Sequence, residues 1–363
     1  YQYGLAYAIS EGASMKGDDQ QIRRKAQQLG SSTLAVTVPA EWAHRHELMK
    51  GDELIVQRDE NGNSLLVTPA QPALTETETT ISADTMSADA LSRAVVTQYV
   101  LGRGFIRIEA EEALTAAQYD AVLDAERRLM GLGIVEESAT HITIRCSVDP
   151  DDFDLPTLFG RLGRTEATIR SSAVDALLTA DPEAARRAQN RSPQLEKLFS
   201  LFLRLVFTTY RNPQLNQAVG VGSGFPLIGY RSAAQDISLM AGIADELAMI
   251  AADEIREPLD DTVAEGITSV HESLDAAAET VRDAVIDPEY SQVTTARKRL
   301  TQFHEVSTAA IDQLEAARPE PLLALHRCHL LFERSARHTE DTLDVATHLA
   351  FRESPDVVTQ NGH

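Results

Sequence analysis

The sequence predicts an α+β multidomain chain: an N-terminal β module, a small α/β connector, and then two all-α, tandem three-helix bundles. Three observations predict it. Leu34, Val36 and Val38 alternate with Ala35 and Thr37, and two further short strand-like runs follow at residues 53–58 and 64–67. Strand and helix patterns then alternate between residues 87 and 150. From Leu155 to about residue 350, apolar residues recur at spacings of three and four.

The first module occupies residues 22–70. Residues 23–28 form a short polar strand, and residues 34–38 a half-buried one. Pro39 ends that strand and suits the first position of a helix anchored by Trp42. Lys50-Gly51-Asp52 is a turn, and Asn61-Gly62 a hairpin signal between the last two strands. So few residues in four short strands and one helical turn cannot bury enough apolar surface to stand alone. The module must borrow a core, most cheaply from an identical chain, so a homodimer through residues 22–70 is expected.

Strand, Gly-Ser/Thr turn, strand, Val38-Pro39-Ala40-Glu41-Trp42, Lys50-Gly51-Asp52, strand and hairpin together resemble the AbrB-type (SpoVT/AbrB-like) swapped-hairpin DNA-binding domain. The resemblance implies an intertwined dimer that presents basic residues of the first strand and following loop to DNA. Arg23, Arg24 and Lys25 match that first strand. The loop carries Ser31-Ser32-Thr33 where many members place an arginine, which leaves phosphate contact to hydroxyls and backbone N–H groups. Arg45, between His44 and His46, adds a cation at the helix end. The expected DNA-binding set is Arg23, Arg24, Lys25, Ser31, Ser32 and Arg45. The bland alternative for the basic trio is a charged edge strand that guards against aggregation.

Charge separates this module from the rest. With 33 Lys and Arg against 55 Asp and Glu, the chain has a formal net charge of −22. Residues 15–70 hold seven Lys and Arg against eight Asp and Glu, a net of −1. Glu11 is the one charge in residues 1–14, so residues 71–363 carry a net charge of −20, which should repel nucleic acid. Sustained acidity suits a salt-loving (halophilic) cytoplasm, where carboxylates keep surfaces hydrated; an acidic protein of an ordinary cytoplasm is the alternative. A hydrophobic content of 43% excludes global disorder. The two cysteines, Cys146 and Cys328, permit neither a disulfide framework nor a zinc spacing. No stretch approaches a membrane span, and residues 1–14 lack a basic leader, so a cytoplasmic protein without membrane insertion is expected. Met15 before a polar run reads as a natural start, and residues 1–21 as a disordered or added extension.

Residues 71–86 read as a linker: Pro72 and an acidic, threonine-rich run carry few apolar residues. The connector, residues 87–150, reads as helix (88–101), strand (105–108), helix (115–130) and two strands (134–137 and 140–146), with no chemistry of its own. Helices capped at Asp181-Pro182 and Ser192-Pro193 build a first helical unit over residues 155–257, whose last helix begins near Ser232. A second unit spans residues 258–352, and residues 353–363 form a polar tail. Two tandem three-helix units behind an AbrB-type module resemble archaeal members of the PhoU family of phosphate-transport regulators. The resemblance implies that the helical units sense or dock a phosphate-transporter ATPase or a signalling protein.

PhoU proteins share a Glu/Asp-x-x-x-Asp motif on the third helix of each repeat that can hold metal. Here Asp245 keeps the aspartate but Ala241 replaces its partner, while Glu333 is kept and Arg337 replaces the second carboxylate. Glu333 and Arg337 instead read as an i, i+4 ion pair. His326, His329 and Glu333 fall at i, i+3, i+7, which is more simply a mixed helix surface than a ligand set. Gly220-Val-Gly-Ser-Gly224 lacks the strand before and the Gly-Lys-Ser/Thr after that a phosphate loop requires, and reads as a flexible inter-helix loop. No metal, no cofactor and no enzymatic activity are expected. The reading is a DNA-binding regulator of phosphate homeostasis. Its alternatives are a protein-interaction regulator whose AbrB-like end only dimerises, and a metal-storage helical protein.

Overall fold

The computed structural model describes residues 22–29, 31–58, 63–70, 77–222 and 224–353. They form two compact units, divided between Leu74 and Thr75.

In the first unit, β1 (Gln27–Gln28) pairs antiparallel with β2 (Leu34–Ala35), Gln28 opposite Leu34. Both strands are shorter than expected: Arg23, Arg24 and Lys25 precede β1, and Val36 and Val38 follow β2, outside any helix or strand. The physical reason lies in exposure. Leu34 and Val36 are 69% and 64% exposed, so within one chain nothing packs on this ribbon to hold a longer ladder.

Helix α1 (Ala40–Arg45) follows, with Pro39 as its N-cap in extended backbone rather than as its first residue. Trp42 is half-buried and stacks obliquely on His46, with ring centroids 5.0 Å apart. The next turn forms as its residues demand. Asp52 Oδ2 accepts from the Met49 N–H at 2.7 Å, and Gly51 takes a φ of 107° that disfavours a side chain. β3 (Leu54–Arg58) then pairs antiparallel with β4 (Leu65–Pro69), Val56 opposite Val67. The Asn61-Gly62 hairpin signal lies outside the described residues.

The second unit opens with a strand where a linker was expected: β5 (Glu78–Ser82). It runs parallel to β6 (Phe105–Glu109), Ile81 opposite Ile108. Thr79, Thr80 and Ile81 are β-formers, and a partner so distant in sequence leaves no local pairing signal. Helix α2 (Ala88–Val100), capped by the Ser87 hydroxyl, makes the crossover. Helix α3 (Ala116–Arg128) starts with a reciprocal Thr115–Gln118 capping box. β7 (Leu132–Glu137) and β8 (His141–Cys146) complete a four-stranded sheet in the order β5-β6-β8-β7. Ile106, Ile108, Ile142 and Ile144 form its buried face under Leu91, Val95 and Val122 of the two helices.

The helices that follow are α4 (Leu155–Thr179), α5 (Pro182–Gln189), α6 (Ser192–Arg211) and α7 (Phe225–Asp253), then α8 (Asp261–Ile286), α9 (Tyr290–Ala317) and α10 (Leu322–Glu353). The all-α character is as expected, with three local differences. The short α5 adds a fourth helix to the first half. Helix α7 begins one to two turns before Ser232, at Phe225-Pro226. Ser192 does not cap α6: its hydroxyl donates to Asp245 Oδ1 at 2.6 Å, whereas Asp181 does cap α5, accepting from two backbone N–H groups.

The two helical halves share their cores. One apolar cluster joins Phe159, Phe202 and Leu227 of the first half to Val281, Leu300 and Leu349 of the second. The other joins Leu177 and Leu247 to Leu274, Phe303 and Phe332. The helices bury amphipathic stripes, and the halves meet where α4 packs on α8 and α7 on α10. The connector is fastened to this body by Arg204 of α6. Arg204 donates from Nη1 to the carbonyls of Tyr99 (2.7 Å) and Arg103 (3.0 Å), and its guanidinium lies over the Tyr99 ring.

Candidate functional site: a basic segment on a module without a core

Residues 22–70 bury almost nothing by themselves. Among the described residues there, Pro69 alone is buried. Ile22, Leu29, Leu34, Val36, Met49 and Leu65 are among the large apolar side chains left exposed, Met49 to 77%. At about 25 cal/mol per Å² of apolar surface, so many exposed side chains are a large unrealised driving force for association.

The six expected DNA contacts are all exposed. Arg23, Arg24 and Lys25 lie in the chain leading into β1, and Ser31 and Ser32 sit in the tight turn joining β1 to β2. That turn is closed by the Leu29 N–H donating to the Thr33 carbonyl at 2.8 Å. Five of the six therefore lie in or just before one short ribbon, while Arg45 stands apart on the last turn of α1. None of the four cations forms an ion pair with another described residue, so their charge is available to a partner.

The carboxylates and histidines singled out in the helices are occupied otherwise. Glu333 accepts a short hydrogen bond from Ser307 of α9 and faces His304, Nδ1 to Oε2 3.9 Å; it does not pair with Arg337, which is exposed. An i, i+4 spacing placed the two on one side of α10, but Glu333 finds its partners across the interface with α9. Asp245 is held by Ser192, and burial raises its pKa. His329 borders an apolar cavity of about 40 Å³ with Phe332 and Ile267, and burial lowers its pKa. His326, His329 and Glu333 do not converge as a ligand set among the described residues.

The glycine-rich loop is a packing device. Val219 and Val221 are buried, the Val219 carbonyl accepts from the Leu155 N–H at 2.9 Å, and a methyl group at Gly220 would collide with the Asp154 carboxylate. These anchors replace the flexible connection that its glycines suggest. Both cysteines are buried thiols, and burial pushes Cys328 up to about 12, far from a reactive thiolate.

One grouping escaped the sequence. Asp236 of α7 meets His338 and Asp341 of α10: His338 Nδ1 lies 3.2 Å from Asp236 Oδ1 and 3.9 Å from Asp341 Oδ2. Asp236 is largely buried, and that burial raises its pKa. His338 and Asp341, at i, i+3, were the only local signal.

Comparison with known proteins bears on the first module. Residues 27–75 match the family model of MazE, described as antidote-toxin recognition MazE, bacterial antitoxin. The N-terminal module is an AbrB/MazE-like domain. Such a domain points to a DNA-binding or antitoxin-type regulator and is compatible with dimerisation. No curated protein matches the chain. Among the described residues, no helix is long and apolar enough to cross a membrane.

Proposed function

We propose that the protein is a dimeric DNA-binding regulator whose helical body receives a signal or a partner. The observation that carries this reading is the conjunction in residues 22–70 of uncovered apolar side chains with the exposed, unpaired Arg23-Arg24-Lys25. A second copy of the module supplies the missing core, and pairing two modules doubles the basic segment. Two moderate contacts then act as one, because the second binds intramolecularly. The acidic remainder of the chain confines nucleic acid to this end.

The helical halves resemble PhoU repeats, and on that resemblance the body would couple DNA occupancy to phosphate supply through a transporter ATPase or signalling protein. The role is one of binding rather than catalysis. Coupling would act by changing the relative placement of the two DNA modules, worth a few kcal/mol at most, typically about 1–3.

A mobility-shift series at several salt concentrations, using genomic fragments that co-purify with the protein, tests the reading. The Arg23→Ala/Arg24→Ala/Lys25→Ala variant should bind more weakly and with a shallower salt dependence, since fewer phosphate counterions are released. Equal affinity of the two proteins removes the DNA claim. A second reading, favoured by the description of the matched family, is a regulator that captures a protein instead. It predicts no DNA binding at any salt.

A further inference from the structure

We propose that Asp236, His338 and Asp341 form a binding site for one divalent transition-metal ion, which bridges α7 and α10. One atom of each side chain lies within 4.8 Å of the others. Metal–ligand bonds of about 2.0–2.2 Å place neighbouring ligand atoms about 3.0–3.5 Å apart in tetrahedral or octahedral geometry. The observed 3.2 Å from His338 Nδ1 to Asp236 falls within that range and the 3.9 Å to Asp341 lies just above it, so small side-chain rotations suffice. Backbone movement is unnecessary, because all three residues stand on well-packed long helices.

The chemistry is consistent. An imidazole nitrogen with two carboxylate oxygens suits zinc, manganese, cobalt or nickel better than calcium, which takes six to eight oxygen ligands, or a soft ion that wants thiolates. The remaining coordination positions fall to water, since Asp341 is exposed. Two carboxylates beside a neutral imidazole leave two negative charges for the cation to neutralise.

The Asp236 carboxylate is also oriented from behind. Thr342 Oγ1 donates to Oδ2 at 3.5 Å, which turns Oδ1 toward His338, the arrangement by which outer partners hold metal ligands. None of the three ligands stands at Ala241, Asp245, Glu333 or Arg337, the positions to which the PhoU resemblance pointed. Because α7 belongs to the first helical half and α10 to the second, the ion would pin the halves together. It would therefore stabilise the folded chain by an amount that grows with the logarithm of its free concentration above Kd.

The test is titration of the chelator-treated full-length protein with Zn²⁺, followed by calorimetry and thermal unfolding, and with Co²⁺ by visible absorption. Wild type should show one equivalent bound, a rise in Tm and cobalt ligand-field bands. Asp236→Asn and His338→Gln should each abolish the one-equivalent step. Asp341→Asn, at an exposed position that does not risk the fold, should weaken it. His329→Gln and Glu340→Gln should keep it. Absence of a one-equivalent step in wild type overturns the proposal. So does wild-type affinity in both His338→Gln and Asp341→Asn, or loss of binding in His329→Gln with retention in His338→Gln.

Discussion

Arg170 and Glu166 form a two-pronged ion pair inside the helical body, Nε to Oε1 at 2.9 Å and Nη2 to Oε2 at 3.2 Å, with both side chains almost fully buried. Nη2 also reaches Asp275 Oδ1 on α8 at 3.1 Å, so the guanidinium ties α4 to the second half. Burial opposes its charge, and the two carboxylates more than compensate. Arg170→Met strands the Glu166 carboxylate and should cost about 3–5 kcal/mol. The double variant Glu166→Leu/Arg170→Met should recover most of that loss, because it leaves no uncompensated buried charge. Denaturant midpoints of the three proteins check this.

Arg204 predicts a second effect at a different place. Arg204→Met keeps the stem but leaves the Tyr99 and Arg103 carbonyls without their donor and removes the cation from the Tyr99 ring. The expected loss is about 2–4 kcal/mol, and it should fall on the connector. Amide exchange should speed up first at the end of α2, before the α7–α10 interface loosens.

His271 carries a pH prediction. Burial lowers its pKa first, and the neighbouring Arg170 adds to this, while Asp275 and Asp175 oppose it; the result is about 4, against an ordinary 6.5. The unfolded chain therefore binds more protons than the folded chain between these values, and stability rises with pH across that window. His271's contribution is complete above about pH 6.5 and is lost as pH falls toward 4. His271→Gln keeps a polar group for Ser171, whose hydroxyl lies 3.2 Å from Nε2, but has no proton to take up. Between pH 7 and 4 the variant should lose less stability than wild type, by on the order of 2 kcal/mol, as read from paired unfolding curves.

Much of the second unit was legible because its signals are local. Asp181-Pro182 opens α5, and apolar spacings of three and four mark the long helices. The failures share one physical origin: the deciding partner lies far along the chain. β5 looked like a linker because its ladder is made with β6. Glu333 turned away from its i+4 neighbour to Ser307 on α9. Asp236 and His338 are 102 residues apart, so no spacing could announce their meeting. In the first module the alternation at Leu34, Val36 and Val38 was plain, yet the ladder is short in a single chain, where Leu34 and Val36 stay exposed; on the proposed reading a second copy covers this face.

That last point is the account's central claim, and the molar mass of the full-length protein in solution tests it most directly. Light scattering at micromolar concentration should give twice the chain mass for wild type. Leu34→Asp/Val36→Asp, which places two charges on the exposed apolar face of the β1–β2 ribbon, should give the mass of one chain. A monomeric wild type, or a double variant that stays at the wild-type mass, would contradict it.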